Sequence, residues 1–181
     1  SLSPEIYPSS PVLQREVTYN NTRPFGRAWM LYLFAAVLGV LAIKIRNSAL
    51  YGATLAAYAA GIGMHVYGFT LRCLISGRPP VSNMYESVIW VGFGAVFFGF
   101  VFELIYKRRY FAVCGAIGGF LCLVLMDLLP AVMGNAGMPG FEAQIRPLQP
   151  VLRDNFWLTV HVLTITLSYA AFLLAWVLGH A

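Results

Sequence analysis

Apolar residues come in long unbroken runs along this chain, and the polar positions gather between them. The runs cover Ala28–Ile43, Ala49–Leu71, Ser87–Tyr106, Tyr110–Met126 and Phe156–Gly179, over half of the 181 residues. A bilayer core takes roughly 17–25 apolar residues per helix, so each run is at or near spanning length. The runs are continuous and do not alternate with period two, which excludes a transmembrane barrel. The pattern predicts an all-α fold: a polytopic transmembrane helical bundle with about five membrane-spanning helices, at about 28–43, 49–71, 87–106, 110–126 and 156–179.

The connections divide the chain further. Residues 1–27 contain Pro4, Pro8, Pro11, Pro24 and Asn20-Asn21 and read as a polar, extended lead-in. Residues 28–181 read as one transmembrane helical domain. Two of its turns are very short and basic, holding Lys44 and Arg46 in one and Lys107, Arg108 and Arg109 in the other. The segments 72–86 and 127–155 are longer loops rich in turn formers, and a connection as long as the second is often functional. Alternating passes put both basic turns on one side. The positive-inside rule makes that side cytoplasmic, with the lead-in and the two longer loops on the outer side.

Composition narrows the class. Hydrophobic residues make up 59% of the chain and charged residues 10%, against about 25% charged in a typical soluble domain. That excludes a water-soluble enzyme and a disordered tail. The net charge of +5 sits at membrane edges, so its partner is the lipid bilayer and not nucleic acid. Cys73, Cys114 and Cys122 form no CxxC, which argues against a zinc site or a thioredoxin-like redox pair. Without CxxCH the chain is not itself a c-type cytochrome. It starts at Ser1 and stops two residues after an apolar run, so it reads as a fragment or a processed piece of something longer.

An ionisable residue inside a bilayer is costly and needs a reason. His161 lies six residues into the last run, with Trp157 at i−4 and Thr164 and Ser168 at i+3 and i+7 on one helical face. A neutral imidazole there is a ready axial ligand for haem iron; an interfacial histidine bonded to a loop carbonyl is the plainer alternative. His65 shares a face with Gly61, Gly68 and Arg72. That face suits either the approach of a flat macrocycle, with Arg72 near a propionate, or close helix packing, to which Gly52, Ala56 and Ala60 also point. Glu103 and Lys107 are spaced for an i, i+4 ion pair. Glu86 and Asp127 fall at helix ends within reach of water, and Gly115 with Gly119 forms a small-residue packing motif.

Three segments carry a resemblance. Leu71–Trp90, LRCLISGRPPVSNMYESVIW, is similar to a segment of cytochrome c assembly proteins with an arginine followed by S-G-x-x-P-x-S-N-x-Y-E-S. Leu148–Phe172, LQPVLRDNFWLTVHVLTITLSYAAF, resembles the stretch of that family in which a tryptophan precedes a histidine by four and L-S-Y-A follows. Arg15–Phe25, REVTYNNTRPF, is similar to an E-x-x-Y-N lead-in of fused members. The family is the haem-handling CcsA/ResC type of system II cytochrome c biogenesis. The resemblance implies haem b held for delivery, with His161 as an axial ligand to the iron and His65, Trp157 and Arg78 as further cofactor-binding residues. It also places Asn83, Tyr85 and Glu86 in the loop motif. It implies an apocytochrome c carrying CxxCH as substrate, a partner or fused CcsB/ResB-type domain, a place in a holocytochrome c synthetase system, and a periplasmic working face on a bacterial inner membrane. The family's tryptophan-rich W-G-x-x-W-x-W-D loop does not occur in this sequence, so the chain carries one half of a bis-histidine site. A b-type haem electron-transfer subunit, with His65 and His161 as a pair, and a non-haem transporter or scaffold are the alternatives.

Overall fold

The protein is described from a computed structural model covering residues 10–77, 79, 81, 83–133 and 156–180, with backbone alone at 10, 130–133 and 156–159. Among the described residues the chain forms six helices and no strand: α1 Ser10–Thr22, α2 Pro24–Ile45, α3 Ser48–Ser76, α4 Met84–Tyr106, α5 Tyr110–Met133 and α6 Phe156–Leu178. In lipid only internally hydrogen-bonded backbone is tolerated, which is why the apolar runs become helices. The segments ending in α2, α4, α5 and α6 are long and apolar enough to cross a membrane. At 29 residues, α3 is about 43 Å long at 1.5 Å per residue. It is less apolar because it carries Tyr51, Thr54, Tyr58, His65 and Arg72, and it buries the last four of these inside the bundle.

The lead-in is not extended where it is described. Pro11 sits in the first turn of α1, where a missing N–H costs no hydrogen bond, and Pro24 opens α2 in the same way. Arg23 between them takes a left-handed φ of 42°, so the prolines mark the ends of helices and the segment is helical up to that joint. Pro4 and Pro8 lie outside the described residues.

Inside the bundle, α2 lies along α3 and α5, and α4 lies along α5 and α6. The core is built from alanines and a few large rings, with Ala28, Ala35, Ala42, Ala95, Ala112 and Ala116 fully buried beside Tyr32 and Tyr58. Small residues let helices approach where lipid gives no hydrophobic drive between them. The Gly115 motif serves this purpose: a Cβ on Gly99 would lie 2.8 Å from the Gly115 Cα and 3.0 Å from the Phe111 carbonyl oxygen. Gly52, Ala56 and Ala60 do not pack into the bundle of described residues. They are exposed, and a Cβ on Gly52 would meet nothing within 4 Å. Gly99→Val is therefore expected to lower stability by about 1–3 kcal/mol through overpacking, while Gly52→Val leaves it unchanged. Thermal unfolding in detergent checks both, and equal melting points for the two variants would contradict the α4–α5 contact.

Candidate functional site

The end of the bundle that carries the 77–83 connection is organised by one buried ion pair. Arg72, near the C-terminus of α3, and Glu86, in the first turn of α4, meet at 2.9 Å, and each side chain is 1% exposed. Asn83 explains how Glu86 gets there. Its side chain caps α4 by accepting from the Glu86 N–H at 2.7 Å, which fixes the first turn. In a capping box the acid at this position reaches back to the cap N–H; here it turns inward to the guanidinium instead. Arg72 also donates to the Tyr19 hydroxyl at 3.1 Å, and its guanidinium carbon lies 5.7 Å and 5.1 Å from the Tyr19 and Tyr85 ring centroids. Three helices, α1, α3 and α4, are thus held together by one cation. Two readings change accordingly. Glu86 is sealed from water, not exposed to it, and Arg72 is spent on protein partners instead of waiting for a propionate. Asp127 does remain partly exposed, at 3.3 Å from the Trp29 indole nitrogen and 3.6 Å from Arg23. A cleft of about 250 Å³ lies alongside, lined by Tyr19, Arg23, Phe25, Tyr85 and Asp127. That is below the roughly 300–1,000 Å³ of pockets that enclose a drug-sized ligand.

His65 lies deeper, in an aromatic cage. Its ring stacks on Phe69 at 5.1 Å and meets Phe93 at 5.4 Å and Phe25 at 5.5 Å edge-on. Nδ1 shares a 3.2 Å hydrogen bond with the Tyr32 hydroxyl. Nε2 makes no hydrogen bond among the described residues, and the Ile89 backbone is the polar group beside the ring. The glycine face of α3 is already filled, with Tyr32 against Gly61 and Phe25 against Gly68. Here the face packs helices, as small residues do.

His161 is placed differently. It is exposed on α6 and makes no side-chain hydrogen bond among the described residues. Its depth follows from the packing of α6 along α4. Gly94 faces Ala170, and Phe98 packs on the cluster containing Leu174 and Val177, so the two helices run parallel. Counting nine residues back from Gly94 and Ala170 sets His161 level with Tyr85, beside the Arg72–Glu86 pair. His65 lies seven residues, about 10 Å, further along α3 than Arg72. The two histidines therefore sit on different helices at different depths, and the structure does not bring them together. Trp157 lies on α6 one turn before His161, with its side chain outside the described residues; Arg78 is outside them altogether.

At the opposite end Glu103 departs from its expected i, i+4 pairing. Lys107 is exposed, and the Glu103 carboxylate is buried and accepts from the Tyr51 hydroxyl at 2.6 Å, Arg109 N at 2.7 Å and Ala112 N at 3.1 Å. It caps α5 from the previous helix. Lys107 and Arg109 take left-handed φ values of 51° and 68°, which folds the turn back so that these N–H groups point at the acid. The roles of Tyr19, Tyr32 and Tyr51 were not readable in the sequence, because each partner lies more than thirty residues away.

A bundle of apolar helices with one buried charged clasp and an exposed histidine level with it defines a polytopic helical membrane protein. Residues 81–181 match the family described as Cytochrome C assembly protein, and the chain belongs to that family, among the proteins of cytochrome c biogenesis. It is 28% identical to Protein NrfI of Wolinella succinogenes over 179 residues, which cover 93% of this chain and 18% of that protein. It is 32% identical over 121 residues to Cytochrome c biogenesis protein CcsA of Chlorella vulgaris, covering 62% of this chain and 36% of the relative. With CcsA of Guillardia theta it shares 29% over 147 residues, 80% of this chain and 44% of that protein. The chain thus spans less than half the length of each of these relatives.

Proposed function

We propose that this chain supplies one half of a haem-holding site used in cytochrome c maturation, with His161 as an axial ligand to haem b. The observation that carries the reading is the contrast between the two histidines. The His65 ring is enclosed by Phe25, Phe69 and Phe93, whereas His161 presents an exposed imidazole, with no hydrogen bond among the described residues, at the end that carries the Arg72–Glu86 pair and inside the family-matched residues. A neutral imidazole with a free nitrogen suits haem iron. When bound, the haem supplies the vinyl groups that become thioethers to the cysteines of a CxxCH apocytochrome.

The chain's own contribution is positional. The Arg72–Glu86 clasp fixes the start of α4, α4 carries α6 along its length, and α6 holds His161 at a set depth. On this reading a second axial ligand and a CcsB/ResB-type partner domain come from outside these 181 residues. The basic turns orient this end outward, to the periplasmic face of a bacterial inner membrane. The test is a reduced absorption spectrum of the purified full-length protein. His161→Ala is expected to lose most of the bound haem and to be partly rescued by imidazole, while His65→Phe keeps it. Haem content unchanged in His161→Ala rejects the assignment, and loss in His65→Phe alone moves the ligand to α3.

A further inference from the structure

The end opposite His161 gathers positive charge that no ion pair among the described residues neutralises. The α2–α3 turn and the α4–α5 turn come together there around an open, shallow cleft of about 250 Å³ lined by Ile43, Arg46, Arg108, Arg109 and Tyr110. We propose that this cleft binds the phosphoryl headgroup of an anionic phospholipid.

The charge balance argues for an anion. Arg46 and Arg108 form no ion pair among the described residues, and Lys44 and Lys107 stand in the same two turns. No acid lines the cleft. Glu103, the acid of that end, is turned into the protein and committed to Tyr51 and to the backbone of Arg109 and Ala112. Like charges held this close repel unless a counter-charge joins them, and arginine's planar fork matches phosphate oxygens in pairs.

The cleft is also built in advance. Arg109 donates to the Ala42 carbonyl oxygen at 2.9 Å and lies 5.2 Å from the Tyr51 ring centroid, so the guanidinium that forms the floor is fixed. Arg46 closes α2 with a left-handed φ of 55° and lines the other side of the cleft with an exposed side chain. The space is about eight times the ~30 Å³ share of one liquid water, enough for a phosphoester group. A lipid fits better than a soluble anion because the rim is apolar and lies where the candidate spans end. Ile45, Ile105, Tyr106 and Tyr110 are all more than half exposed around it, offering acyl chains a surface while the headgroup meets the arginines. Basic pockets between helices at the cytoplasmic interface hold anionic headgroups in this manner.

The experiment uses the full-length protein in detergent, with fluorescent phosphatidylglycerol as probe and fluorescent phosphatidylcholine and inorganic phosphate as comparisons. Phosphatidylglycerol is expected to bind in preference to phosphatidylcholine and to resist displacement by phosphate. R46A/R108A is expected to weaken it about thirtyfold, from about 1 kcal/mol per arginine. The charge-matched variant R15A/R27A, both exposed on other parts of the chain, binds like the native protein. Arg109 is left in place because it holds the turn. Equal binding by R46A/R108A, equal binding of the two lipids, or full displacement by inorganic phosphate would each overturn the proposal.

Discussion

Glu86→Ala is expected to destabilise the protein by about 3–5 kcal/mol, because it leaves the Arg72 guanidinium buried without its carboxylate. For a chain of this size that corresponds to a fall in melting temperature on the order of 10 °C, measurable by tryptophan fluorescence in detergent. The size follows from burial. An exposed pair of the same geometry is worth about 0–1 kcal/mol, but both of these side chains are sealed and the charge cannot return to water without opening α1 from α3. Arg72→Met/Glu86→Leu removes both charges together and is expected to recover most of the loss, since apolar replacements of a buried pair are often neutral. Tyr19 would still lose its donor, so recovery falls short of complete. A Glu86→Ala melt within 2 °C of native would show that water reaches the pair. Because α4 carries α6, the same variant is expected to lower haem retention in the full-length protein.

Removing Glu103 is expected to have a comparable effect at the other end. Glu103→Ala leaves the Tyr51 hydroxyl and two backbone N–H groups without their acceptor. Hydrogen bonds to a charged group are worth about 1.5–3 kcal/mol each, but they share one carboxylate and do not add fully. A total of about 3–5 kcal/mol is expected. Glu103→Gln keeps an acceptor oxygen and should lose roughly half of that, and Tyr51→Phe about 1–2 kcal/mol. Lys107→Ala should change stability by less than about 0.5 kcal/mol. Thermal unfolding of the four variants separates the two arrangements: a Lys107→Ala loss matching Glu103→Ala would restore the i, i+4 pair. Since this carboxylate shapes the turn that holds Arg109, Glu103→Ala should also weaken phosphatidylglycerol binding.

How far the sequence was legible differs between residues. The apolar runs were plain because lipid demands long uncharged helices, and the 107–109 and 44–46 turns were plain because charge cannot enter the bilayer. The helical form of residues 10–22 was missed because prolines read as breakers unless their place in the first turn is known. Asn83 and Glu86 stood out in their motif, but whether the acid faced water or an arginine depended on α3, fourteen residues away in sequence. Glu103 had a tempting local partner in Lys107 and took distant ones, since a surface pair gains little and three donors in a sealed turn gain more.

What the sequence determined by itself is the all-helical membrane class, the number and approximate limits of the apolar runs, the two short basic turns between them, and His161 as a histidine in the second turn of its helix. These follow from hydropathy and charge, which act on each segment alone. The tertiary structure decided which polar groups are buried together. It enclosed His65 in aromatic rings, joined Arg72 to Glu86, Tyr19 and Tyr85, and left His161 exposed at their level. Those outcomes depend on the register and rotation of one helix against another, set by where glycines and alanines allow close approach, and a pattern read along a single helix does not contain them.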